Sequence, residues 1–281
     1  MQRSIFWRHF QRNRLALLGT GIVMTLFFVA LLAPILSPYD PTEMDPQHIL
    51  SPPNPKHWLG TDRLGRDVLS RIVWGSRISL LVGFVSVGIA TFIGILVGAI
   101  AGYYGRWVDA LIMRFVDLML CFPTFFLILA VIAFLEPSIW NIMVVIGMTG
   151  WMGVARLVRA EFLSLKEREF VQMSRMAGMS DMRMIWEDML PNMASYTFMA
   201  FVLLMSGAMI AEAGLSMIGL GVTRGVSLGT ILYWAQLLES VRRGMWWWFL
   251  PPGVCLVALA TSLLLLSTAL DEFFSPRLKG G

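Results

Sequence analysis

The chain has 281 residues, of which 57% are hydrophobic and 14% charged, with a formal net charge of +4. Ordinary soluble domains carry about 25% charge, so this composition cannot keep a folded surface wet, and lipid is the expected solvent. The small basic excess gives no reason to expect a nucleic-acid partner, because basic residues beside membrane segments serve orientation.

Residues 1–14 carry Arg3, Arg8, Arg12 and Arg14 ahead of the apolar run Leu15–Leu36. The run is as long as a membrane helix, no A-x-A site closes it, and it ends at Pro38, so an uncleaved span is expected over 15–36. The segment 37–77 is expected on the extracytoplasmic side. Its first half holds Pro38, Pro41, Pro46, Pro52, Pro53 and Pro55 and reads as extended or turned. Asp67–Arg77 reads as a short amphipathic helix marked by Val68, Ile72 and Trp74.

Residues 78–270 read as a core of five further spans. Ile78–Tyr104 places glycines at 83, 88, 94, 98 and 102, which suits close helix contact. Leu111–Leu135 carries Arg114 and Asp117, three apart on one face, which read as a local ion pair or as snorkelling anchors. Ile139–Ala155 is a short, marginal span. Met193–Leu220 holds one acid, Glu212, and Met245–Leu270 holds no charge. The expectation is an all-α polytopic membrane protein with six transmembrane helices and both termini, including the tail 271–281, on one side. With the termini cytoplasmic, the inner segments hold fourteen of the 22 basic residues, which satisfies the positive-inside rule.

That orientation makes 156–192 the largest cytoplasmic loop. Glu167–Ala177 reads as helix with Phe170, Met173 and Ala177 on one face. Gly178 interrupts it, Ser180 or Asp181 can cap a second short helix, and a break or restart is expected at Pro191. Met184, Ile185 and Leu190 carry apolar surface through the second piece. So short a loop cannot bury its own core, so its apolar face must rest on lipid, on the inner ends of the spans, or on another protein. Surface-lying helices are rich in Lys and Arg. Here Arg168, Arg175 and Arg183 alternate with Glu167, Glu169, Asp181, Glu187 and Asp188, which favours a protein partner.

This loop resembles the coupling loop of ABC-transporter permeases, with Gly178 and Leu190-Pro191-Asn192 at the places of that family's pattern. Gln172-Met173-Ser174 stands where the family has E-A-A, and Asp188 stands where the dipeptide, oligopeptide and nickel subgroup often has His. "HWLGTDRLGRDVLSRIVWGSRISL" (57–80), "AGYYGRWVDALIMRFVDLMLCFP" (101–123), "ARLVRAEFLSLKEREFV" and "AEAGLSMIGLGV" resemble the second permease of peptide and nickel importers. The closing "LDEFFSPRL" is near the family's pattern, and Thr223–Met245 departs most from it.

The resemblance implies a non-catalytic subunit that forms half of a translocation pathway in the cell inner membrane. Its implied partners are a homologous second permease, two P-loop ATPase subunits and an extracytoplasmic solute-binding protein. ATP and Mg would sit on the ATPases, with no cofactor on this chain. Glu169, Phe170, Gln172, Met173, Ser174, Gly178, Asp181, Leu190 and Pro191 are the implied coupling residues. Gly60, Asp62, Gly65, Arg66 and Asp67 belong to the outer segment that would receive the binding protein. No G-x-x-x-x-G-K-[ST] occurs, so hydrolysis by that route lies elsewhere.

Glu212, with Ser216 one turn on, reads as a pathway group or as a structural bond at the inter-permease interface, since an ionised acid in lipid must face protein, water or a partner. His9, His48 and His57 show no ligand spacing, so no metal site is expected. Trp246-Trp247-Trp248 suits an outer aromatic belt. Cys121 and Cys255 read as free thiols. The implied cargo is a di- or oligopeptide, with nickel–chelate or oligosaccharide as alternatives. A lone ion-coupled transporter would want charged or broken helices in both halves, where only Glu212 qualifies; a membrane scaffold is the remaining class.

Overall fold

The computed structural model describes residues 14–222 and 225–274. The expected inner segment 1–14 thus lies almost wholly outside the described residues, as do His9, Arg277 and Lys279 of the two termini. Every regular element among the described residues is helical: α1 (Arg14–Leu31), α2 (Val68–Tyr104), α3 (Arg106–Leu120), α4 (Thr124–Ile132), α5 (Ile139–Lys166), α6 (Glu169–Met176), α7 (Leu190–Leu215), α8 (Leu228–Leu237) and α9 (Trp246–Phe274).

α2 and α5 form the spine, and glycine decides how closely they pack. Gly94, Gly98 and Gly102 recur every fourth residue on one stripe of α2. A Cβ on Gly98 would stand 2.5 Å from the Ala155 carbonyl oxygen and 2.7 Å from Val158 Cβ, and one on Gly102 would stand 2.5 Å from Phe162 Cβ. α5 returns the contact with Gly147, set against Ser86 and Ile89 of α2. In lipid the apolar effect between helices is absent, so such backbone approach is what holds spans together. α7, α9 and α1 complete the bundle around this pair.

Four helical runs are long and apolar enough to cross a membrane: Val68–Tyr104, Ile139–Lys166, Asp181–Leu220 and Trp246–Asp271. A fifth crossing results if α3 and α4, bent by 79° at a break before Thr124, count as one. The first expected span is shorter than its 15–36 bounds, with its apolar helix ending at Leu31 and a separate turn at Ala33–Leu36.

Other boundaries also moved. The amphipathic helix expected over 67–77 and the span expected from Ile78 are one helix of 37 residues, about 55 Å long. The charged residues at its start are paired within the fold rather than marking an end. The marginal span at Ile139 runs 28 residues, to Lys166. Pro191 does not break the run, although the regular α-helical ladder of α7 restarts beside it, with Pro191 in the first turn. A wider turn over Met184–Met189, in which Leu190 N–H reaches back five residues to the Ile185 carbonyl, precedes it, and the run is continuous from Asp181. The loosened ladder accepts the missing proline donor at no further cost.

The aromatic belt expected at 246–248 is only partly one. Trp248 is fully buried in the core, and Trp247 packs over Gly60 and Thr61, leaving Trp246 half exposed. α8 was not foreseen in Thr223–Met245. Its ten residues are too short to span, yet Leu228, Ile231 and Ala235 are buried. Both cysteines are free thiols, Cys255 with its sulfur 3.2 Å from Ser76 Oγ.

Candidate functional site

The loop that follows α5 is a rigid arm with two faces. α6 ends in a complete C-terminal cap: Gly178 takes φ +80°, its N–H bonds to the Arg175 carbonyl, and the Met179 N–H bonds to the Ser174 carbonyl. This pairing of the two residues past the cap with the last-turn carbonyls is the Schellman motif, and its left-handed position favours glycine. The bend expected at Gly178 therefore has a definite geometry.

One face of the arm is anchored. Val171, Met184, Ile185 and Met189 are buried with Tyr103 of α2 and Val154, Val158 and Phe162 of α5; Phe170, Met179 and Leu190 pack at the margin. Other side chains of the arm are bare: Met173, Met176 and Met182 are 58%, 81% and 62% exposed, beside exposed Glu169, Gln172 and Pro191 and half-buried Ser174, whereas the 58% exposed Trp186 lines a groove with Phe92 and Leu96 of α2 and Phe198 of α7. One of the three supports left open by the sequence is thus present: the adjoining ends of α2 and α5 hold one face, while large apolar side chains elsewhere on the arm stay exposed.

Polar bonds fix the anchored face. Tyr103 Oη donates to Asp181 Oδ1 at 2.5 Å, and Lys166 Nζ donates to the Tyr103 carbonyl at 2.7 Å. Neither expected cap forms by side chain: Ser180 sits at the cap position without such a bond, and Asp181 is engaged with Tyr103. α3 is strapped to α5 by Asp109–Arg159 and Asp117–Arg156. Asp117 is thus paired across helices rather than with Arg114 on its own helix.

Glu212 lies fully buried within this chain. Its Oε1 accepts from Ser216 Oγ and Ser227 Oγ, each at 2.7 Å. Ser227 also caps α8, accepting from Thr230 N–H at 3.1 Å while Thr230 Oγ1 accepts from Ser227 N–H at 2.9 Å. The fit is close: a Cβ on Gly229 would lie 2.6 Å from Ala213 Cα. Glu212 is therefore the bolt that seats α8 against the end of α7. The spacing Ser227-x-x-Thr230 is a capping signal that reading the sequence overlooked.

At the end of α2 away from the arm, residues 37–67 fold into a collar. Asp62 Oδ1 accepts the Leu64 and Arg66 N–H groups at 2.8 and 3.0 Å, and Oδ2 accepts Arg66 Nε at 2.8 Å. Gly60 and Gly65 both take positive φ, +66° and +74°, which lets the chain turn twice around this carboxylate. Asp67 caps α2 through Oδ2, which accepts Ser70 N–H at 2.8 Å, while Oδ1 bonds His57 Nδ1 at 3.0 Å. The Lys56 ammonium, 2.7 Å from Asp45 Oδ2, holds that carboxyl well below the usual range and raises its own pKa in return. Arg63 lies over the Trp234 ring of α8 at 3.5 Å, which ties collar to bundle. The five outer residues singled out in the sequence are thus brought into one knot.

A bundle of long apolar helices with an anchored arm at one end and a folded collar at the other is the frame of a multi-pass membrane protein. Residues 94–280 match the binding-protein-dependent transport system inner membrane components, and residues 2–53 match the N-terminal TM domain of oligopeptide transport permease C. The chain belongs to this family and is a non-catalytic permease subunit. It is similar to a putative peptide permease protein of Brucella suis, 37% identical over 269 residues, covering 95% of this chain and 89% of that one. It is 34% identical over 281 residues to the dipeptide transport system permease protein DppC of Haemophilus influenzae, covering 98% and 94% of the two chains. The di/tripeptide transport system permease protein DppC of Pseudomonas aeruginosa is also 34% identical, over 283 residues, at 98% and 92% coverage.

Proposed function

We propose that this chain forms half of the translocation pathway of an ATP-driven importer for di- or oligopeptides. The peptide assignment rests on the peptide permeases among its relatives. Its proposed partners are a homologous second permease, two cytoplasmic ATPase subunits that bind ATP and Mg, and an extracytoplasmic binding protein. Six crossings would comprise the four long runs, the bent pair α3–α4, and α1, whose 18 residues reach about 27 Å. Both termini would be cytoplasmic, as the distribution of basic residues favours.

The observation that carries the reading is the division of the arm. One face is bolted to α2 and α5, whereas Met173, Met176 and Met182 present flexible apolar surface. Methionine-rich surface suits an adaptable docking contact. In this mechanism an ATPase groove grips that surface. When the ATPases close around nucleotide, the arm moves with them. Because Tyr103–Asp181 and the buried methionines leave little slack, α2 and α5 move too, and the bundle passes between two states of access. Asp188 and Gln172-Met173-Ser174 would require matching contacts on the ATPase.

Site-directed cross-linking tests this. In a background free of Cys121 and Cys255, a cysteine at Met182 should cross-link to the ATPase within the assembled complex, with a yield that changes on nucleotide binding. A cysteine at Met184, on the anchored face, should not. Equal labelling of position 182 by lipid-phase reagents in the working complex, with no ATPase adduct, would refute the docking role.

A further inference from the structure

The collar brings together two histidines that look unrelated in sequence. His48 closes the turn Pro46–His48, which Asp45 caps by accepting Gln47 N–H at 3.0 Å. His57 closes the next turn, where Asn54 N–H bonds to the His57 carbonyl at 3.0 Å and His57 N–H to Asn54 Oδ1 at 2.9 Å. The two rings stand 5.6 Å apart. One donor atom from each of Asp45, His48 and His57 lies within 4.8 Å of the others.

The state of His57 makes this grouping informative. The side chain is only 3% exposed. Its Nδ1 faces Asp67 Oδ1 at 3.0 Å, and Asp67 also accepts from Ser70, so Asp67 acts as acceptor and Nδ1 carries the hydrogen. That leaves a lone pair on Nε2, which is buried with no hydrogen-bond partner. It stands 3.7 Å from Asp45 Oδ2, another atom with only lone pairs to offer. Asp45 Oδ2 already takes the Lys56 ammonium, but His57 Nε2 is buried without a donor, and a cation between the two atoms would satisfy it. His48 Nδ1 completes the group, 2.9 Å from the same carboxylate oxygen.

We propose that Asp45 Oδ2, His48 Nδ1 and His57 Nε2 form a binding site for a divalent first-row transition cation of the zinc, cobalt or nickel kind. Donors bound about 2.0–2.2 Å from zinc in a tetrahedral site stand roughly 3.3 Å apart. The 2.9 and 3.7 Å separations from Asp45 Oδ2 bracket that spacing, and the two ring nitrogens lie within 4.8 Å of each other, so the His48 ring must turn toward His57 to close the site. Asp67 behind His57 is the outer carboxylate that orients a metal-bound imidazole and fixes its tautomer. Imidazole nitrogen with one carboxylate selects zinc, nickel or cobalt over calcium and magnesium, which want oxygen alone. Three protein ligands leave a further position for water on the side where Asp45 and His48 reach solvent.

Lys56 is the competitor. Its ammonium already sits 2.7 Å from Asp45 Oδ2, but the side chain is 52% exposed and can swing away on its flexible stem. A bound metal would join the turns at 46–48 and 54–57 to the start of α2 and stiffen the collar.

The test uses the tag-free full chain in detergent with His9→Gln, which removes the third histidine from the background. Co²⁺ is titrated and followed by its visible d–d absorption, with Zn²⁺ as competitor. One equivalent should bind, and Zn²⁺ should raise the melting temperature. His48→Ala should weaken binding by about tenfold or more, as loss of a ligand shell member does. The His48 ring makes its hydrogen bond to Asp45 alone, so the fold should survive, and the melting temperature in chelator checks this. Lys56→Met should tighten binding severalfold by removing the competing charge, a gain that a merely structural ion pair would not produce. Absence of d–d bands at submillimolar Co²⁺, or an affinity indifferent to both substitutions, would overturn the proposal.

Discussion

Tyr103, in the last turn of α2, donates its hydroxyl at 2.5 Å to Asp181, which opens the second half of the arm 78 residues later. The last turn of α2 and the middle of the arm therefore share one hydrogen bond. A hydrogen bond to a charged acceptor contributes roughly 1.5–3 kcal/mol, less where one partner is exposed, as Asp181 is.

Tyr103→Phe removes that bond and keeps the packing. It should lower stability by about 1 kcal/mol and reduce transport more than it reduces ATP hydrolysis in the assembled complex. Measuring both rates in proteoliposomes checks this. An unchanged ratio of transport to hydrolysis would show that the bond carries no motion.

Gly178 offers a separation of backbone from bulk. A Cβ there meets nothing within 4 Å, so a side chain is resisted by the positive φ alone. Gly178→Val should cost about 1–2 kcal/mol locally and depress transport and stimulated hydrolysis, while Gly178→Asn, which tolerates the left-handed region, should restore most of both. Membrane insertion, followed by protease accessibility, should be equal in the two variants.

The spine can be probed with the smallest side chain. Gly98→Ala forces a methyl group against the Ala155 carbonyl at 2.5 Å, whereas Gly88→Ala meets nothing within 4 Å. The first should destabilise by about 1–3 kcal/mol through overpacking. The second should be neutral or slightly stabilising through helix propensity. Melting temperatures in one detergent, compared side by side, decide it.

Glu212 predicts a graded pair. Glu212→Ala leaves the Ser216 and Ser227 hydroxyls without their acceptor, at about 1–3 kcal/mol for each unsatisfied buried group. Glu212→Gln keeps an acceptor oxygen and should cost clearly less. Thermal unfolding and protease cleavage in the loop before α8 provide the readouts.

The family and the helical class were legible in the chain because both are written in local pattern. Apolar runs of span length, glycines at four-residue spacing and the Gly178 bend need no knowledge of distant residues. Boundaries were harder wherever a tertiary bond substitutes for a local signal. Charged residues between 62 and 77 suggested a segment apart from the span, but Asp62 pairs with Arg66 inside the collar and α2 runs straight through. Pro191 suggested a break, but the wide turn before it absorbs the missing donor.

By itself the sequence determined that this protein lives in lipid, that it is helical, and that it carries a bent apolar arm, since burial preference and backbone freedom are properties of each residue and its near neighbours. Only the tertiary structure decided which face of the arm is spent on the bundle and which stays bare. It alone brought Ser227 of the next segment to Glu212, and it alone set His48 and His57 across one carboxylate. Those pairings depend on turns between the partners, and their free energy exists only once the intervening backbone has already folded.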